Sequence, residues 1–137
     1  MPNFACLKTE YERDIPEIPF SKYPRPMLKR NSYICLNGVW DFYIERKGKK
    51  AFAGNIIVPF VPESRISGVE QAIKKGDVLV YERKFKLAED LAGKRILLHI
   101  GACDQECKVY INNTLVAENI GGYFPIDVDI TYFAVKG

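Results

Sequence analysis

Apolar and polar residues alternate along this chain in short runs, each broken at Gly, Pro or Asn. A period of two marks a half-buried strand, and the breakers mark turns. Seven such runs can be read. Val39–Ile44 follows the turn-former Asn37-Gly38. Ile56-Ile57-Val58 is a short apolar strand stopped by Pro59. Val78–Leu87 reads as one long strand, with Tyr81, Arg83, Phe85 and Leu87 on one face. Its other face, Val78, Val80, Glu82, Lys84 and Lys86, turns polar after Val80, which predicts one buried and one solvated side. Arg95–Ile100 comes after a turn at Ala92-Gly93-Lys94. Lys108–Ile111 and Thr114–Glu118 form a hairpin about Asn112-Asn113, because a type I′ turn needs φ > 0 at both central residues and Asn tolerates it. Gly121-Gly122 then breaks the pattern, and Tyr123-Phe124-Pro125 leads into the acidic strand Ile126–Asp129. Between the strands, Lys47–Lys50 reads as an exposed loop and Pro59–Gly68 as a proline-marked loop. Val69–Lys75 fits one helical turn. Short connections make the strands mostly antiparallel and predict an all-β sandwich. Five prolines within the first thirty residues (Pro2, Pro16, Pro19, Pro24 and Pro26) predict an extended, irregular arm.

The length of 137 residues suits one domain with a real core. Eight Tyr and eight Phe strengthen the strand reading. The net charge of +3 changes little. Its clusters, Lys47–Lys50 and Lys74-Lys75, lack the interleaved aromatics of a nucleic-acid interface and read as solvated surface. The longest apolar run, Ile56–Pro62, is too short to span a bilayer. Lys8, Glu10, Glu12, Arg13, Asp14 and Glu17 interrupt any secretory h-region. No membrane or nucleic-acid partner is expected, and the expected location is cytoplasmic. Cys6, Cys35, Cys103 and Cys107 would be reduced there. Cys103 and Cys107 are not spaced as zinc ligands, and no His is near them. Cys107 shares parity with Val109 and Ile111, so it reads as a core thiol. No metal or cofactor is implied.

Candidate chemistry is sparse. There is neither a phosphate loop nor an HExxH. His99 is the single histidine, inside a strand and without an evident acid–base partner. It reads as a surface or satisfied side chain rather than a base. Asp127 and Asp129 share a strand face. Paired carboxylates about 5–10 Å apart can hydrolyse glycosides, but a solvated strand face is the plainer reading, with Asp129 capping the turn at Ile130-Thr131. Tyr123 and Phe124 are either a sugar-stacking platform or a cover for one end of the core.

Four blocks together resemble one family. They are Leu36-Asn37-Gly38-Val39-Trp40-Asp41-Phe42; Ile57-Val58-Pro59-Phe60 with Pro62-Glu63-Ser64 and Ser67-Gly68; Tyr81-Glu82-Arg83-Lys84-Phe85; and Ala102–Thr131. With Tyr23-Pro24-Arg25-Pro26 before them, residues 23–137 resemble the N-terminal sugar-binding domain of glycoside hydrolase family 2, the β-galactosidases, β-glucuronidases and β-mannosidases. The resemblance implies a jelly-roll sandwich over residues 31–137, behind an extended arm over 1–30. In whole members an immunoglobulin-like domain and a (β/α)₈ barrel follow, and the barrel carries both catalytic glutamates. No catalytic residue is then expected here, and the carbohydrate partner is met within the whole enzyme. Members continue past the Asp129-Ile130-Thr131 block, whereas this chain stops at Ala134-Val135-Lys136-Gly137. A missing last strand would leave an open edge, through which the chain self-associates or which stays disordered. In the resembling β-galactosidases an Asn two residues after a Val-Pro pair reaches the active site. The matching residue is Val61, which cannot hydrogen-bond a hydroxyl. Either Glu63 or Ser64 substitutes on the same loop, or the loop only packs against the barrel. The expected substrate-binding residues are Glu63, Ser64, Tyr123 and Phe124. An autonomous carbohydrate-binding module using Tyr123, Phe124 or Trp40 is the alternative, and a small enzyme using Asp127 and Asp129 is a third reading.

Overall fold

The computed structural model describes residues 14, 16–25, 27–28, 30–91 and 93–133. Cys6, Pro2 and Pro26 lie outside them, as do residues 134–137, on which the expectation of a missing strand rests. Seven strands and two short 3₁₀ turns make up the regular structure among the described residues. The strands are β1 Gly38–Arg46, β2 Lys49–Val58, β3 Val78–Glu82, β4 Leu97–Ile100, β5 Glu106–Ile111, β6 Thr114–Ile120 and β7 Ile126–Asp129. Every pairing is antiparallel. The chain divides into two compact units, residues 1–84 and 85–137.

The first unit is a three-stranded sheet in the order β2-β1-β3. Its inner face carries Phe42, Ile44 and Ile56, all buried, with Trp40, Val58, Leu79, Val69 and Ile73 packed around them. Phe42 and Tyr81 stand opposite in register with ring centroids 5.0 Å apart. The outer face is mixed. Asn55 donates to Asp41 (2.9 Å), and Tyr43 meets Phe52 edge-on at 5.3 Å. Lys50 lies over the Tyr43 ring and pairs with Glu82.

Several predicted boundaries move. Lys47–Lys50 is not a loop: Lys47 (φ 51°) and Gly48 (φ 74°) form a two-residue turn, and Lys49 and Lys50 already belong to β2. The positive φ at both positions matches the right-handed twist of the flanking strands. Ile56–Val58 is only the end of the ten-residue β2. The strand predicted through Leu87 stops at Glu82. Val69–Lys75 forms no helical turn; the helical geometry falls earlier, at Arg65–Ser67.

The Leu36–Phe42 block owes its residue types to a clasp. Arg83 reaches back from beyond β3 to donate to the carbonyls of Leu36 (2.8 Å) and Asn37 (2.6 Å). The Trp40 indole donates to the same Leu36 carbonyl at 2.7 Å. The Asn37 amide donates to the Pro19 carbonyl at 2.9 Å, which holds part of the arm against the sheet. Gly38 has φ 108°, and a Cβ there would stand 3.1 Å from the Glu17 carbonyl oxygen. Only glycine suits both the conformation and the approach.

The second unit holds two ribbons, β4 with β7 and β5 with β6. Among its described residues, Val109, Ile126 and Ile130 are the buried apolar ones. Asn112 (φ 48°) and Asn113 (φ 65°) form the predicted turn between β5 and β6. The pairing continues just before β4 and just after β7: Ile130 donates to the Ile96 carbonyl (2.9 Å), and the Thr131 hydroxyl accepts from the Ile96 N–H (2.9 Å).

Candidate functional site

The loop after β2 is built around one serine. Ser67 is fully buried. Its hydroxyl lies 2.7 Å from the Ser64 carbonyl and 3.3 Å from that of Pro62, and it accepts from the Val69 N–H at 3.2 Å. Gln71 adds a backbone bond to the Pro62 carbonyl at 2.9 Å. The Pro-rich run is thereby fixed by its own side chains. Ser64 donates its hydroxyl to the Val61 carbonyl (2.7 Å), so its oxygen is left only as an acceptor. Glu63 is exposed, and among the described residues no hydrogen bond or ion pair engages it. Val61 is 60 % exposed beside them.

The second candidate loop lies between β6 and β7. Gly121 has φ 117°, and the Phe124 ring lies 3.4 Å from where a Cβ on it would stand. Tyr123 is 96 % exposed, so both faces of its ring are free, and Phe124 is 68 % exposed. Glu63 and Ser64 belong to the first unit, Tyr123 and Phe124 to the second.

The acidic strand is tied down residue by residue. The β4–β7 register puts Asp127 opposite His99, with Nδ1 and Oδ1 2.6 Å apart. The expectation that His99 lacks an acid–base partner is therefore corrected: the partner is across the ribbon, where sequence spacing does not point. Both groups are exposed, which makes this a surface pair worth about 0–1 kcal/mol. Asp129 accepts from the Thr131 hydroxyl (2.5 Å), the Arg95 guanidinium (2.7 Å) and the Thr131 N–H (3.0 Å). These bonds, the hydroxyl first, lower its carboxyl to about 2. A glycosidase's general acid needs a raised value instead. Asp129 thus caps the turn and stays an anion. Burial, with a smaller contribution from the Cys103 thiol, pushes Cys107 up to about 12. That keeps it a thiol at neutral pH and a poor nucleophile.

Residues 47–137, about two thirds of the chain, match the family described as glycosyl hydrolases family 2, sugar binding domain. The chain belongs to this family. The all-β, antiparallel structure agrees with the family's β-sandwich. Among the relatives of this family 2 domain, a β-glucuronidase of Paenibacillus borealis is 39 % identical over 126 residues, covering 84 % of this chain and 21 % of that protein. A β-glucuronidase of Streptococcus agalactiae is 25 % identical over 109 residues, covering 77 % of this chain and 18 % of that protein. A β-galactosidase of Thermoanaerobacter pseudethanolicus is 37 % identical over 57 residues, covering 42 % of this chain and 8 % of that protein. The chain therefore spans at most about a fifth of the length of these relatives.

Proposed function

We propose that this domain is the accessory, sugar-facing part of a retaining β-glycosidase whose catalytic carboxylates lie outside these residues. The family match over residues 47–137 carries the reading. The state of the acidic groups supports it: Asp129 is held as an anion, and Asp127 is paired with His99. Glu63 and Ser64 on the Ser67-braced loop, and Tyr123 and Phe124 on the glycine loop, are the proposed sugar contacts. The immunoglobulin-like and barrel domains are the proposed partners. The test is hydrolysis of nitrophenyl β-galactoside, β-glucuronide and β-mannoside by the full-length protein. One of these substrates should be cleaved, and Asp127→Asn should leave the rate unchanged. Failure to cleave any β-glycoside, or loss of cleavage in Asp127→Asn, would reject the reading. The exposed Tyr123 ring favours a second reading, binding of sugar independent of catalysis.

A further inference from the structure

The glycine loop is fastened to the segment that precedes β5. Gly121 donates its N–H to the Gln105 carbonyl at 2.8 Å, and the Asn119 amide donates to the Gly121 carbonyl at 2.9 Å. A Cβ on Gly122 would fall 2.8 Å from the carboxyl carbon of Asp104 and 3.0 Å from its Cβ. The Asp104 side chain thus fills the place that any other residue at 122 would claim. Glycine here lets a carboxylate come directly against the loop, one residue from Tyr123. Among the described residues, no hydrogen bond or ion pair engages this carboxylate. Asp77, Asp127 and Asp129 are all bonded.

An exposed aromatic ring and an unengaged carboxylate held at one loop are groups that a pyranose can use together. Its C–H face stacks on the ring, and adjacent hydroxyls donate to the two carboxylate oxygens. We propose that Asp104, with Tyr123 and Phe124, forms a surface subsite for a neutral pyranoside, Asp104 accepting its hydroxyls. The proposal rests on the carbohydrate reading above and adds to it the polar anchor and the charge of the ligand. A uronate would bring its own carboxylate against Asp104, and like charges disfavour that complex.

The test places fluorotyrosine at position 123 of the full-length protein and follows its fluorine resonance during titration. The probes are methyl β-thiogalactoside and methyl β-thioglucuronide, both resistant to hydrolysis. The galactoside should move the resonance saturably and the uronide should not. In Asp104→Ala the half-saturating concentration should rise about tenfold, the loss of hydrogen bonds to one charged acceptor. Gly122→Ala, which displaces the Asp104 side chain and spares both aromatic rings, should do the same. A resonance unmoved by the galactoside, an unchanged midpoint in Asp104→Ala, or an equal response to the uronide overturns the proposal. Nitrophenyl glycoside hydrolysis by the same preparation separates the two ideas. A silent Tyr123 in an active enzyme rejects the subsite, and Tyr123 as a sugar contact with it, but leaves the glycosidase reading standing, whereas an inactive enzyme rejects that reading.

Discussion

Asp77 and Asp129 show how much one side chain can hold in this fold. Asp77 takes a two-pronged guanidinium contact from Arg46 at 2.8 and 2.9 Å and the Lys74 N–H at 2.9 Å. These bonds, the guanidinium first, lower its carboxyl to about 2, as the hydroxyl, guanidinium and backbone bonds do for Asp129. Both values lie below the unfolded carboxylate, near about 3.9. The sign follows: each contributes stability that is complete above about pH 4 and lost as pH falls to about 2. The melting midpoint of the unsubstituted protein should therefore fall more steeply through that window than that of an Asp77→Asn, Asp129→Asn double variant. Parallel curves would count against both assignments. The Asp129 cap is legible in sequence because Thr131 is two residues away. The Arg46–Asp77 pair is not, since β2 and the loop after it separate the partners in sequence, and the same holds for His99 with Asp127, which β5 and β6 separate.

Strand identity was carried by alternation, and strand ends were not. All seven predicted strands exist: period two survives where one face is buried, and Ile56–Val58 shows instead as a short apolar run. Lys47 misled for a definite reason. A lysine at φ 51° is uncommon, so a run of three lysines and a glycine looks like solvated loop rather than hairpin turn. The Asn112-Asn113 turn was readable because Asn is the ordinary choice at such angles. This yields a prediction for the β5–β6 hairpin. Asn113→Val forces a branched side chain to φ 65° and should cost about 1–2 kcal/mol, while Asn113→Gly should cost much less. Urea midpoints compare them, and equal losses would refute the turn assignment. Val69–Lys75 failed as a helical turn because its apolar residues, Val69 and Ile73, pack separately onto the core without a continuous turn between them.

For the molecule as a whole, the family was legible from its four blocks, because each has a structural cause. The Leu36–Phe42 and Tyr81–Phe85 blocks meet in the Arg83 clasp. The candidate contacts are less legible: nothing in the sequence marks Asp104, since only folding brings it against Gly122. Among the described residues of the first unit, the buried core is Phe42, Ile44 and Ile56. Phe42→Ala should cost about 3–5 kcal/mol, a large fraction of a domain's stability, and open that unit to exchange. Hydrogen exchange across β1–β3 would show it, and full protection in the variant would contradict the assigned core. The clasp also bears on where such a domain can be cut for transplanting into another protein. The family match begins at residue 47, inside the β1–β2 turn. A gene trimmed to that limit would discard Phe42 and Ile44 together with the strand that carries them. One trimmed to residue 31 would keep β1 but strip Asn37 and Gly38 of the Pro19 and Glu17 carbonyls that face them. A portable unit has to start ahead of Glu17, well upstream of residue 47, where the family match begins.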